Sequence, residues 1–351
     1  MLKVTFFQRR PREGFDFSLE SIFEEVRQQL SEQIEAKTEI CSRYNDGWLT
    51  KFTNIWEAAF RQSKTINHIT GEVHFLNLFM RKKTVLLTVL DCRFMDRKQG
   101  WQRVLMRWLY LKLPTKKAQY ITAISESTKQ DIIKYTACSP KKIKVIPISI
   151  DQIYQPHPQP FNTHKPTILH IGTGENKNLL RLTEALVDIP CHLSIVGKLN
   201  EEQKSHLQKY QIEYSNAYNI SKAAMLQQYQ NCDLLAFVST FEGFGMPIIE
   251  ANSVERPVLT SNLSSMPEVA GDAALLVNPY EVKEIRKGIL RLIEDADLRQ
   301  ELIEAGRKNK LRFQSKAIAN QYFELYQKIA PNKLNQVKSS QLKPLSSSMK
   351  Q

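Results

Sequence analysis

Paired cysteines, membrane-length apolar runs and metal-ligand spacings are all missing from this chain. Its five cysteines, Cys41, Cys92, Cys138, Cys191 and Cys232, are scattered, odd in number and free of CxxC spacing. That excludes a disulfide-stapled scaffold and a zinc ribbon, and predicts a reduced, cytoplasmic protein. The strongly apolar runs stay well short of the ~20 residues needed to cross a bilayer. The chain enters a strand at Lys3, with no leader pattern ahead of it. His68 and His74 flank Gly71 and Glu72 without helical metal spacing, and Asp295-Ala296-Asp297 falls between two helical stretches, where it reads as a helix start. No obligatory metal and no cofactor is expected.

Acidic side chains are scarce in the first part of the chain. The net charge is +13, with 26 basic and 16 acidic residues in 1–160 against 19 and 20 in 161–330. Residues 81–117 alone carry 11 basic and 2 acidic side chains together with Trp101, Trp108 and Tyr110. Drawn as a helix, WQRVLMRWLYL places Trp101, Val104, Leu105 and Trp108 on one side and Arg103, Arg107 and Tyr110 on the other. Two readings follow: tryptophans packed into the first domain, or a surface helix whose Arg103 and Arg107 face anionic lipid at ~1 kcal/mol per basic residue. Nucleic acid is not expected, because the aromatics keep helical spacing and no binding module accompanies them.

At 351 residues the chain exceeds one core, and ~150 residues per domain gives about two. Strand-like runs KVTFF (3–7), TVLLTVL (84–90), ITAIS (121–125) and KVIPI (144–148) alternate with helical ones such as SLESIFEEVRQQLSEQIEA, which predicts α/β architecture with doubly wound parallel sheets. The proline-rich polar segment DQIYQPHPQPFNTHK reads as a linker. The boundaries expected are a first Rossmann-like domain over 1–160, a second over 161–315, a helix over 316–330 and a serine- and lysine-rich disordered tail over 331–351.

The densest chemistry lies in Phe237 to Asn252, FVSTFEGFGMPIIEAN. An apolar run, a loop with Gly243 and Gly245, and Pro247 opening a helix make a strand–loop–helix unit. Glycine lets the loop backbone take positive φ and approach a ligand, and amides near Gly245 and Met246 at a helix start suit a diphosphate. Glu250, one turn in, offers two acceptor oxygens to a vicinal diol, and Glu242 stands at the loop entrance. The plain alternative is that Glu250 only complements the helix dipole, at ~0.3–1 kcal/mol.

The stretch resembles retaining glycosyltransferases of family 4 (glycosyl transferases group 1), whose signature is a glutamate, seven residues and a second glutamate after a strand; Glu242, Glu250 and the GFGMP interior meet it. ILHIGTGENKNLL (168–180) and RPVLTSNLSSMPEVAGDAALLVNP (256–279) extend the likeness. The resemblance implies the GT-B fold, two Rossmann-like domains facing across a cleft, with the last helix crossing back to the first. It implies that Glu250 holds a nucleotide ribose, that Glu242 lies beside the donor sugar, that Phe244, Gly245 and Met246 supply amides, and that Lys177 after Gly172 meets the pyrophosphate. Thr173 stands where the family usually has arginine, which leaves part of the diphosphate charge to other cations. Asp91 is a catalytic candidate, preceded by Leu90 where many relatives have histidine, and Ser125-Glu126 matches the family's Ser-Glu pair. Arg9, Arg10 and Arg12 follow the first strand at the sheet edge where open α/β folds bind ligands, a placement suited to phosphate or acceptor.

The function expected is retaining transfer of a sugar from a nucleoside diphosphate sugar to the hydroxyl of a sugar or lipid-linked acceptor, for a cell-surface polysaccharide at the cytoplasmic membrane face. A phosphorylase or epimerase on the same fold, and a catalytically silent GT-B protein that binds membrane, are the alternatives.

Overall fold

The computed structural model describes residues 1–11, 17–95 and 99–330, so Arg12 and the tail over 331–351 lie outside the described residues. The chain forms two compact units. The first holds Met1–Ala123, Lys129–Ile146 and the chain from Lys316 on, and the second holds Ile124–Thr128 and Pro147–Ser315. Each is built on a six-stranded sheet in which every recorded pairing is parallel.

In the first unit the strands are β1 (Leu2–Gln8), β2 (Ile34–Ile40), β3 (Ile66–Ile69), β4 (Val85–Val89), β5 (Tyr120–Ala123) and β6 (Ile143–Val145), in the order β2-β1-β3-β4-β5-β6. Period-two alternation sends Phe6 to one face and Phe7 to the other. On the Phe6 face, Leu2, Val4 and Phe23 pack with Ile318, Tyr322 and Tyr326 of the last helix, Ser315–Ile329, so that helix belongs to this core. His68 is wholly buried there, its Nδ1 2.8 Å from Tyr326 Oη and its Nε2 2.8 Å from Thr88 Oγ1. Burial pushes its pKa down to about 3, so it is a neutral core histidine.

Two expectations need correction here, and one open reading is decided. The helix expected over 18–36 ends at Gln29, and Ile34–Ile40 is instead an edge strand. Of that strand only Ile34 is fully buried, so it carries no alternating signal to set it apart from the helix before it. The boundary expected at residue 160 lies earlier, because the proline-rich segment is pinned to the second unit. Buried Arg256 donates to the His157 carbonyl at 2.7 Å, Gln159 Nε2 to the Cys232 carbonyl at 2.7 Å, and the Ile150 N–H to the Phe313 carbonyl at 2.9 Å. Finally, the tryptophans of WQRVLMRWLYL do not pack inward. Gly100–Met106 is α-helical and Arg107–Lys112 widens into a π-helical turn, leaving Trp101 72% and Trp108 41% exposed while Leu111 is buried and Tyr110 packs on Phe75.

The second unit comprises β7 (Thr167–Ile171), β8 (His192–Val196), β9 (Tyr214–Ala217), β10 (Leu234–Phe237), β11 (Val258–Ser261) and β12 (Leu275–Val277), ordered β12-β11-β10-β7-β8-β9. The winding reverses between β7 and β10, and ligands of open α/β sheets bind at the carboxyl ends of strands at such a reversal. Asp295 caps helix Ala296–Asn309 by accepting the Leu298 N–H at 2.9 Å, which accounts for the Asp-Ala-Asp run.

Candidate functional site

The loops leaving β7 and β10 meet at this reversal. Past β7 the chain turns at Gly172 with φ +90°, a region where L side chains are strained. A Cβ there would lie 2.8 Å from both Cγ and Cε of Lys177, so the glycine is the bed on which that side chain lies. Lys177 Nζ reaches Glu242 Oε1 at 2.7 Å and stands 4.8 Å from the centroid of the Phe237 ring. Asn176 Nδ2 donates to the Phe241 carbonyl at 2.9 Å and to Glu242 Oε1 at 3.2 Å. Asn178 follows in the left-handed region, φ +64°, which asparagine tolerates, and its Nδ2 donates to Val238 and Pro279 carbonyls at 3.1 and 2.7 Å. One short segment therefore ties three strand ends together and aims a lysine and a carboxylate at the same point.

The β10 loop is held by its carbonyls. Ser264 Oγ and Ser265 Oγ donate to the Glu242 carbonyl at 2.6 and 2.9 Å, Ser125 Oγ lies 2.8 Å from the Gly243 carbonyl, and Ser265 Oγ lies 2.7 Å from the Phe244 carbonyl. A trans peptide points its N–H opposite to its C=O, so these anchors turn the amides of Gly243, Phe244 and Gly245 the other way. Helix Met246–Ser253 begins on Gly245, φ +108°, with no side-chain cap, one residue earlier than Pro247 suggested. In its first turn the Ile248 N–H bonds the Gly245 carbonyl at 3.0 Å and Pro247 has no N–H to satisfy, which leaves the Met246 amide as the donor of the helix start. A helix start of this kind is where an anion is favoured. Phe244 itself turns inward, 5.6 Å ring to ring from Phe313, so only its backbone serves the loop.

Glu250 lies one turn into that helix, half-buried. Tyr229 Oη donates to Glu250 Oε2, and Tyr154 adds a second phenol hydrogen bond. Burial raises the carboxyl above its ordinary 4.5, while the two phenols pull it the other way. Both phenols are raised in turn, by burial first and then by the Glu250 charge. The carboxylate is thus fixed in rotamer by two rings and still has acceptor sites left.

Residues 152–309 match the family model for glycosyl transferases group 1. The match lies within the second unit and covers a little under half of the chain. The chain's two parallel six-stranded units are the GT-B fold: Anabaena HepE, solved in complex with UDP and glucose, superposes with a TM-score of 0.74 at 15% identity over 93% of this chain and 99% of that one. The serotype-specific mannosyltransferase WbdA of Escherichia coli is 26% identical over 215 residues, 53% of this chain and 26% of WbdA, so the match spans about a quarter of that protein. An N-acetylgalactosamine-N,N'-diacetylbacillosaminyl-diphospho-undecaprenol 4-alpha-N-acetylgalactosaminyltransferase of Campylobacter jejuni is 23% identical over 308 residues, 79% of this chain and 80% of that one.

Of the residues singled out on the group 1 pattern, Gly172 and Glu242 both meet Lys177, while Phe244, Gly245, Met246 and Glu250 follow on the β10 loop and the helix it opens. Thr173, at the family's arginine position, is turned aside: its Oγ1 donates to the Lys198 carbonyl at 2.7 Å, and a Cβ at Gly197 would come 2.7 Å from its Cγ2. Ser125 is fully buried, with its Oγ on the Gly243 carbonyl and the Thr128 N–H, so it supports the loop. In the first unit, Asp91 Oδ1 accepts the Arg93 N–H at 2.9 Å. Arg9 is paired with Glu72 at 2.9 Å, and Arg10 donates to the Ser42 carbonyl at 2.7 Å and sits over Tyr44. Both are engaged within their own unit. Arg103 is exposed and Arg107 half-buried on the helix described above. Sequence reasoning missed Asn176, Tyr154, Tyr229, Ser264 and Ser265. None carries a spacing signal of its own, because each acts through a partner distant in the chain.

Proposed function

We propose that this chain transfers a sugar from a nucleoside diphosphate sugar to an acceptor hydroxyl, with retention of anomeric configuration. The observation that carries the reading is the Lys177–Glu242 pair, 2.7 Å apart, seated over Gly172 at the start of the loop whose carbonyls are anchored by Ser125, Ser264 and Ser265. The diphosphate would take Lys177 Nζ and the amides of this loop, Glu250 the ribose hydroxyls, and Glu242 hydroxyls of the donor sugar. Lys198, next to the turn that replaces the family's arginine, would supply the second cation. Charge developing on the leaving diphosphate is met by fixed donors in a partly dry crevice, the arrangement that lowers a barrier most. The acceptor attacks on the face that the diphosphate leaves, so no enzyme nucleophile and no divalent ion enters the step, and turnover persists in EDTA. Relatives named as mannosyltransferases and as a transferase acting on a diphospho-undecaprenol acceptor support a lipid-linked or polysaccharide-precursor acceptor, met by the basic first unit at a membrane face.

Calorimetry with UDP, GDP and ADP on the metal-free protein tests the donor site, and proton NMR of the product tests retention. One nucleotide is expected to bind at micromolar Kd and the new linkage to keep the donor's α configuration. A folded sample that binds no nucleotide would sink the transferase reading. Affinity also carries a pH signature. Glu250, its pKa raised, loses its charge at a higher pH than an ordinary carboxyl, so as pH falls nucleotide affinity drops earlier than an ordinary carboxyl would make it. Glu250→Gln should bind ~5–100-fold more weakly at neutral pH and show only the slope of the phosphate itself. An unchanged slope in Glu250→Gln counts against the ribose role.

A further inference from the structure

Every tryptophan of the chain, four in all, stands at the surface of the first unit: Trp48 is 60% exposed, Trp56 46%, Trp101 72% and Trp108 41%. Tryptophan is an unusual residue to leave in water four times over. Helix Trp48–Arg61 places Trp48, Phe52, Trp56 and Phe60 at four-residue intervals on one face, with Leu49 beside them, while Asn54, Ile55 and Ala58 on the opposite face enter the core. The helix is therefore packed through the opposite face, and the aromatic face touches the rest of the unit through the Trp56–Phe79 contact. These rings also contact one another. Trp56 lies 6.2 Å from Phe52, 5.9 Å from Phe60 and 5.4 Å from Phe79, which is itself 52% exposed. The turn His74–Phe79 joins this face to the second pair of tryptophans, since its Phe75 packs on Tyr110 of the Gly100–Lys117 helical run at 5.3 Å.

The rim is cationic. Lys64, Arg81, Lys82 and Lys83 are exposed, and Arg61 is exposed but paired with Glu39 at 3.4 Å. Lys51 lies over the Trp48 ring at 5.8 Å with Asp46 near it, and Lys112 lies over Trp108 at 4.2 Å. The one acid of the helix, Glu57, is engaged by Ser42 and Arg61. A second copy of the chain seated here across a two-fold axis would set this positive rim against itself. An anionic bilayer answers both features at once: tryptophan and phenylalanine rings suit the headgroup level, and each cation gains from the surface potential.

We propose that helix Trp48–Arg61 and Phe79 form a docking face for an anionic lipid bilayer, with Trp101 and Trp108 as a second anchor of the same unit. This deepens the lipid-linked acceptor assigned above, but its observations are independent of the donor site. The test uses the full chain with vesicles of phosphatidylcholine alone or mixed with phosphatidylglycerol, read by flotation and by tryptophan fluorescence. Co-flotation with the anionic vesicles only, a blue-shifted emission and loss of binding as salt rises are expected. The surface variant Leu49→Glu/Phe60→Glu should lose at least ~10-fold in vesicle affinity, and Lys82→Ser/Lys83→Ser a similar amount. Both should bind nucleotide as the wild type does, which separates failure here from failure of the donor site. Wild-type protein that ignores anionic vesicles overturns the proposal, as does Leu49→Glu/Phe60→Glu floating undiminished. A concentration-dependent dimer abolished by Leu49→Glu/Phe60→Glu, with no vesicle binding, overturns it in favour of a second copy.

Discussion

Lys177→Ala is expected to lower kcat/KM for sugar transfer by ~10²–10³-fold, the loss seen when one fixed donor to a developing charge is removed. The lysine stands 2.7 Å from Glu242 with only 22% of its side chain exposed, over a glycine that leaves it no room to swing down. Its three N–H donors can keep Glu242 and still reach a diphosphate. The loss should fall mainly on kcat, because charge on the leaving group grows toward the transition state. Breaking a buried pair leaves the other charge uncompensated, which costs ~3–5 kcal/mol in full burial. Partial exposure here reduces that cost. Lys177→Met/Glu242→Gln, which removes both charges, should therefore recover stability without recovering turnover. Steady-state kinetics beside thermal melts decide the matter, and a Lys177→Ala enzyme within a few-fold of wild type would remove this lysine from the mechanism.

Gly172→Ala should reproduce much of that effect without touching the lysine. A methyl group at position 172 would stand 2.8 Å from Lys177 Cγ and Cε, on a backbone already at φ +90°. Contacts that short do not persist, so the lysine stem must move away from the crevice. A conformation of this kind in a non-glycine residue costs ~1–3 kcal/mol. We expect kcat/KM to fall ~10–100-fold, on the reasoning that a displacement near 1 Å of a positioning group has effects of that size. Because the loss passes through Lys177, the double variant Gly172→Ala/Lys177→Ala should be little worse than Lys177→Ala alone, a strong non-additivity. Two losses that simply multiply would mean that Gly172 acts on something other than the lysine.

The helix and strand periods, the glycine loop and the seven-residue interval between Glu242 and Glu250 are properties of contiguous residues, and they are legible without coordinates. So are the strand–helix alternation and the two parallel sheets it produces. The misreadings share a cause. β2 looked like more helix because, as an edge strand, it buries little, and the proline-rich stretch looked like a free linker because Arg256, which pins it, is 99 residues from His157. WQRVLMRWLYL has an apolar side, but periodicity cannot say whether that side is covered.

Local chemistry determined the kind of site this protein carries; tertiary structure decided how the site is held. The Lys177–Glu242 pair spans 65 residues, the seryl anchors of the Glu242 carbonyl come from 22 and 23 residues on, and the phenol that fixes Glu250 comes from 21 residues before it. Strand order brings these together, and strand order depends on which apolar faces cover one another in the folded chain. The same holds for the exposed tryptophans. An aromatic stripe is written in the sequence, but only the fold shows that another face of the helix made the core and left the stripe in water.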